Sequence, residues 1–184
     1  MKAMLSRTVW IIGALALLQT IVLGTMVADR VMLLKTGREI VAPIEPVDPR
    51  SLFRGDYVDL NFNFSRTLPA SHPEDLNRRV AVYVTLELLP DGTLRATDVG
   101  YRHPGPLPPE KVVIRGTTPG DDTWRRTVRF GIEKYFVPEG RGLELEKLAR
   151  DRKLAAVLAI DKGGRAAIKG LVIDGKRVYD EPLF

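Results

Sequence analysis

From Thr8 to Ala28 the chain carries no charged residue, and that stretch constrains the molecule more than any other. Val9–Ala28 reads VWIIGALALLQTIVLGTMVA. About 20 residues at a helical rise of ~1.5 Å cover ~30 Å, the thickness of a bilayer's hydrocarbon core. A helix on the surface of a globular core would keep a polar stripe, and this one has none. Trp10 stands at its N-terminal end, where an interfacial indole belongs. Gln19 and the threonines are tolerable, because threonine hydroxyls can bond back to helix carbonyls. A cleaved signal peptide would have a shorter apolar region and end in a small-x-small site. Here the run is longer, and Met26-Val27-Ala28 puts a bulky residue where a small one is wanted. The expectation is an uncleaved anchor that embeds Val9–Ala28 in a lipid bilayer.

Orientation is less constrained. Lys2 and Arg7 precede the apolar run; Arg30, Lys35 and Arg38 follow it. That asymmetry is weak by the positive-inside rule. The short leader favours keeping the N-terminal end inside, which puts the remainder of the chain outside the cytoplasm. Residues 1–28 then form the anchor. Residues 29–37 (DRVMLLKTG) form a stalk that can continue the helix until Gly37 closes it. Residues 38–184 form the soluble domain.

That domain is patterned mostly with period two. In Tyr57–Phe64 (YVDLNFNF), Val58, Leu60, Phe62 and Phe64 share one face, opposite Asp59, Asn61 and Asn63. Further strands are expected over Arg79–Leu89, Leu94–Tyr101, Glu110–Arg115, Arg126–Val137, Leu154–Ile160, Arg165–Ile173 and Lys176–Tyr179. Asp91-Gly92, Asp161–Gly164 and Asp174-Gly175 supply hairpin turns. The proline-rich run His103–Pro109 reads as a loop. One helix is expected over Leu143–Arg152. The class is α+β and mainly β: an N-terminal transmembrane helix followed by a small β-barrel or β-sandwich domain with one helix.

Composition removes several chemistries. Of 184 residues, none is cysteine and two are histidine. Disulfides and thiolate catalysis are therefore out. A structural zinc site is not expected, since His72 and His103 both sit before prolines in loop-like sequence. No cofactor is expected. The net charge of +5 comes from cations interleaved with Asp and Glu, without the basic runs or aromatic-rich strand of a nucleic-acid binder. No nucleic acid is expected as a partner; a lipid surface fits the charge better.

The densest cluster of special residues is Val47–Phe64, VDPRSLFRGDYVDLNFNF. Pro49 holds Asp48 extended, and Gly55 permits a turn just before the strand. Asp48, Arg50, Arg54, Asp56 and Asp59 alternate in charge within a short span. Two readings stay open. One is a loop-to-strand corner, with Asp56 bonding nearby amides and Tyr57 and Leu60 anchoring the strand. The other is a binding site that presents Arg54 and Asp56 at a strand mouth.

Gly55-Asp56-Tyr57-Val58-Asp59-Leu60-Asn61-Phe62 resembles the motif that names the GDYXXLXY family of bacterial membrane-anchored proteins. Val47-Asp48-Pro49-Arg50, Leu52-Phe53-Arg54 and the later Tyr135-Phe136-Val137-Pro138-Glu139-Gly140 are similar to that family as well. Phe62 departs from the family's tyrosine, so a role needing a hydroxyl there is in doubt, while packing is not. The resemblance implies no established activity. It implies a multi-spanning membrane protein as partner. The motif residues Asp48, Pro49, Arg50, Arg54, Gly55, Asp56, Tyr57, Leu60 and Phe62 are the candidate binding positions.

The leading functional expectation is an anchored interaction or assembly module beside a polytopic membrane partner. Two alternatives remain. A membrane-tethered hydrolase resembling signal peptidases would need Ser51 and a lysine base. Yet Lys111, Lys134 and Lys153 all stand in charged company, and the spacing of Ser51 to Gly55 does not fit. An envelope-ligand binder would use the Arg54–Asp56 corner.

Overall fold

A computed structural model of the chain describes residues 2–45, 57–66, 79–90, 92–118, 128–136 and 142–180. Its first element, α1, runs unbroken over Lys2–Thr36, 35 residues. Residues 9–30 of this helix are exposed. By length and composition it can cross a membrane. Its hydroxyls are satisfied internally, as an apolar surrounding requires: Thr20 Oγ1 donates to Ala16 O at 2.9 Å and Thr25 Oγ1 to Val22 O at 2.7 Å.

The segment read as a stalk continues the helix and then docks on the domain. Leu33 and Leu34 are buried in one cluster with Ala159 and Ala167. Two alanines on the sheet leave room for the helix to come close, and burying two leucines contributes about 2 kcal/mol each. Gly37 N donates to Leu33 O at 2.9 Å. A Cβ on Gly37 would lie 2.5 Å from Leu33 O and 3.0 Å from Ile160 N, so only glycine fits between helix and sheet. Arg38, the next residue, is already paired with Ile160. Helix becomes strand across a single residue.

The strands are β1 (Arg38–Pro43), β2 (Tyr57–Asp59), β3 (Ala81–Leu88), β4 (Leu94–Gly100), β5 (Lys111–Thr117), β6 (Lys134–Phe136), β7 (Leu154–Ile160), β8 (Ala166–Ile173) and β9 (Lys176–Asp180); α2 (Gly142–Arg150) lies between β6 and β7. All pairings are antiparallel. A four-stranded sheet has the order β1-β7-β8-β9, a three-stranded sheet β4-β3-β5, and β2 pairs with β6 alone. Their inner faces share one core. Ile40 and Ala42 of β1, Ala156, Leu158 and Ile160 of β7, and Ile168 of β8 meet Val82, Val84 and Leu86 of β3 and Ile114 of β5. The architecture is α+β and mainly β, with open sheets packed as a sandwich. No closed barrel forms among the described residues.

Strand β5 is tied to one end of the four-stranded sheet. Arg115 N donates to Gly164 O at 2.7 Å, and Arg38 Nη1 donates to Lys111 O at 2.9 Å. Gly164 belongs to the β7–β8 turn, which Asp161 organises. Asp161 Oδ1 accepts from Gly163 N at 2.9 Å and Arg165 N at 2.8 Å, while Asp161 Oδ2 accepts from Arg165 Nε at 2.6 Å. Arg165 Nη1 reaches on to Asp29 Oδ2 at 2.5 Å, which links turn and helix.

Three expectations need correction. The strand expected over Tyr57–Phe64 is a ladder only at Tyr57–Asp59; Asn63–Arg66 coils into a 3-10 turn. The strand expected over Arg126–Val137 is Lys134–Phe136, preceded by a single bridge at Arg129. In both, alternate side chains reach the core although the backbone leaves the ladder. Strand β1 lies in sequence assigned no element, REIVAP, whose alternation is short and ends in proline.

Burial works to raise the Asp161 carboxyl, but the Arg165 hydrogen bonds and the turn amides outweigh it and hold the pKa below the usual carboxylate value. A lowered folded pKa stabilises the fold fully above the ordinary carboxylate range of about 4, and that contribution is lost as pH falls through the depressed value. Asp161→Asn should lower the melting temperature at pH 6, and the deficit should shrink as pH falls below about 4. Thermal denaturation of the full chain in detergent across that range checks it; a deficit that stays constant with pH refutes it.

Candidate functional site

The motif strand β2 and the later segment β6 are brought together directly. Tyr57 is opposite Phe136, Val58 opposite Tyr135 and Asp59 opposite Lys134. Leu60 N adds one more bond, to Glu133 O at 2.7 Å. Glu133 ends the ladder. Its carboxylate accepts from Phe130 N and from Gly131 N, the latter at 3.0 Å, and so caps the preceding bend. The chain then changes partner: Glu45 N donates to Asn61 O at 2.8 Å, which joins the motif to the tail of β1.

The C-terminal half of the motif is packing. Leu60 is buried and Phe62 is fully so. Phe62 stacks on Phe64 with ring centroids 5.2 Å apart, and Phe64 meets Phe130 edge-on at 5.3 Å. Such aromatic contacts add roughly 0.5–1.5 kcal/mol beyond area burial. Phe130 can approach because β5 carries glycine beneath it. A Cβ on Gly116 would sit 2.3 Å from Val128 Cγ1 and 2.9 Å from Phe130 Cδ1. Of the other candidate positions, Tyr57 is placed by its backbone in β2. Asp48, Pro49, Arg50, Arg54, Gly55 and Asp56 lie outside the described residues, as does Ser51.

Among the three candidate lysines, Lys153 Nζ lies 3.7 Å from Asp174 Oδ1 with both side chains exposed, a surface pair. Among the described residues, no group of three or more His, Asp or Glu could hold a metal ion.

A cleft of about 530 Å³ opens beside the motif, lined by Glu45, Asn63, Arg66, Thr93 and Arg152 together with Pro43, Ile44 and Leu94. Arg66 Nη2 lies 4.0 Å from Glu45 Oε2, and Asn63 Nδ2 donates to Leu94 O at 3.2 Å. Two guanidiniums, an amide and a hydroxyl around one opening favour anionic or carbonyl-bearing groups. Sequence reading missed this set because its members are far apart along the chain. Only Asn63 carried a signal, as the polar side of the alternating motif run.

Arg152 enters the cleft from a strained backbone, at φ +57°. It follows α2, where Arg152 N donates to Ala149 O and Lys153 N to Leu148 O. This is the Schellman helix stop, which ordinarily uses glycine. An L-residue in the left-handed region costs roughly 1–2 kcal/mol, and such strain is retained more often at sites of function. Arg152→Gly should therefore raise stability, by about 1 kcal/mol after glycine's own entropy cost. Chemical denaturation checks it; an unchanged or lower midpoint refutes it.

No curated protein and no solved structure matches the chain. A family model, described as GDYXXLXY protein, matches residues 19–171. That span takes in the last part of the apolar helix, the motif, its partner strand β6 and the sandwich through most of β8. With Leu60 and Phe62 in the core and β2 laddered to β6, the match follows the fold's own connections, and the chain belongs to the GDYXXLXY family.

Proposed function

We propose that the chain is a membrane-anchored interaction module, with its β domain outside the cytoplasm, acting beside a polytopic membrane protein. The observation that carries this reading is the union of α1 with the domain. An apolar helix able to cross a bilayer runs into β1 without a linker and is held by Leu33, Leu34 and the Asp29–Arg165 pair. A helix bound this way fixes the height and tilt at which the domain meets a neighbour in the same membrane.

An exposed aromatic on β6 supports a protein partner. Phe136 lies directly opposite Tyr57 and is 76% exposed. Large aromatics left at a surface are favoured anchors for partner pockets. Full-length protein extracted in mild detergent should co-purify with a multi-spanning protein. Phe136→Ala should reduce that recovery severalfold with the melting temperature unchanged, as an interfacial anchor does. Recovery of a clean monomer from the native host under gentle extraction would overturn the reading.

The orientation is tested separately. A reporter enzyme that is active only outside the cytoplasm, fused after Phe184, should be active. A silent reporter alongside an active cytoplasmic one would reverse the topology.

A further inference from the structure

The anchor and the domain meet at one end of the four-stranded sheet, and the groups gathered there share a character. Asp29 is the first residue after Ala28, one helical rise of ~1.5 Å past the apolar run. Its carboxylate holds Arg165 at 2.5 Å, and Arg165 holds Asp161 at 2.6 Å. The β7–β8 turn is thereby fixed at the level where the apolar run ends. A second loop is fixed to that turn. His103 Nδ1 accepts from Gly105 N at 3.0 Å, so its Nε2 carries the proton and donates to Lys162 O, also at 3.0 Å. His103 also packs edge-on against Tyr83, with ring centroids 5.5 Å apart.

Among the described residues, the charges at this end do not balance. Asp29 and Asp161 are both engaged by Arg165. Arg30 on the helix, Arg102 on the second loop and Lys162 at the tip of the turn are exposed, with Glu110 at the far end of the second loop. An anionic bilayer surface attracts basic groups at its headgroup level, and the attraction fades within a Debye length of about 10 Å.

We infer that the β7–β8 turn and the loop after β4 rest on the bilayer, with Lys162, Arg102 and Arg30 holding anionic lipid headgroups. This rests on the anchor reading above. It adds which end of the domain touches lipid and which lipid chemistry it selects. The opposite end, at Asp174–Lys176, is separated from that turn by the length of β8. Its 8 residues at ~3.3 Å each give roughly 25 Å.

The chain has no cysteine, so single labels are clean. Gly163→Cys marks the lipid-facing turn, where a Cβ meets only Asp161 Oδ1, at 3.4 Å. Lys176→Cys marks the far end. Each full-length variant, carrying a fluorophore, is reconstituted into vesicles containing headgroup nitroxide lipid, with and without phosphatidylglycerol. Quenching at position 163 should exceed that at 176 by about threefold or more, given the ~25 Å separation. It should rise with phosphatidylglycerol, and Arg30→Ser, Arg102→Ser and Lys162→Ser together should abolish the rise. Protein that floats with vesicles but quenches equally at both positions, or shows no dependence on lipid charge, overturns this inference and leaves the anchor intact. Protein that does not float overturns both.

Discussion

Everything the domain can do at a membrane depends on the contact between the last turns of α1 and the outer face of the four-stranded sheet. Leu33 and Leu34 bury against Ala159 and Ala167. The small side chains on the sheet matter as much as the large ones on the helix. A bulkier residue at 159 would push towards Gly37, where a Cβ, were one added, would lie 3.1 Å from the Ala159 Cβ. The cluster is small and separate from the main core. The sandwich can therefore fold around its own aromatic and aliphatic packing, while the clamp sets where that sandwich sits relative to the helix.

The family motif divides along a physical line. Its Leu60 and Phe62 are inaccessible; Phe62 stacks on Phe64, and Phe130, edge-on to Phe64, needs the bare backbone of Gly116 opposite it. These residues secure a seam at which the chain passes from the β2–β6 ladder to the tail of β1. Phenylalanine suits position 62, which is fully buried and used as a ring in a stack. What the seam carries outward is exposed Phe136 and the cleft where Glu45, Asn63, Arg66 and Arg152 converge.

Much of the sandwich was legible because period-two burial survives in the sequence. Leu154–Ile160 was read to its observed ends, and the strands of both sheets were read within a residue or two except β1. The failures share a cause. Side-chain alternation reports which residues face the core, and it does not report where the backbone bonds go. Phe62 and Phe64 alternate as a strand would, yet Ser65 N turns back to Phe62 O at 3.0 Å. Phe130 and Ile132 alternate likewise, yet the Glu133 carboxylate takes the amides of Phe130 and Gly131. The stalk was read as a continuation of the helix closed at Gly37, as it is, but its docking on the sheet was not legible. Leu33 and Leu34 look like the end of an apolar run, and their partners, Ala159 and Ala167, lie far along the chain. The cleft was hidden for the same reason, since Arg66 and Arg152 become neighbours only once β1, β4 and α2 are in place.

A domain tethered by a flexible linker must give up its freedom of tilt and height when it binds a membrane partner, and that ordering lowers affinity. Here the ordering is completed on folding. The chain turns from helix to strand at Gly37, and the Asp29–Arg165–Asp161 chain of bonds braces the reversal from the other side. Both surface ion pairs would contribute little in isolation. Their effect comes from placement, since they join a helix able to cross a membrane to the β7–β8 hairpin turn. Under the proposed function, preorganisation of this kind suits assembly with a partner in the same bilayer, because Gly37 and the Leu33–Leu34 contact fix helix to sheet before any partner is met.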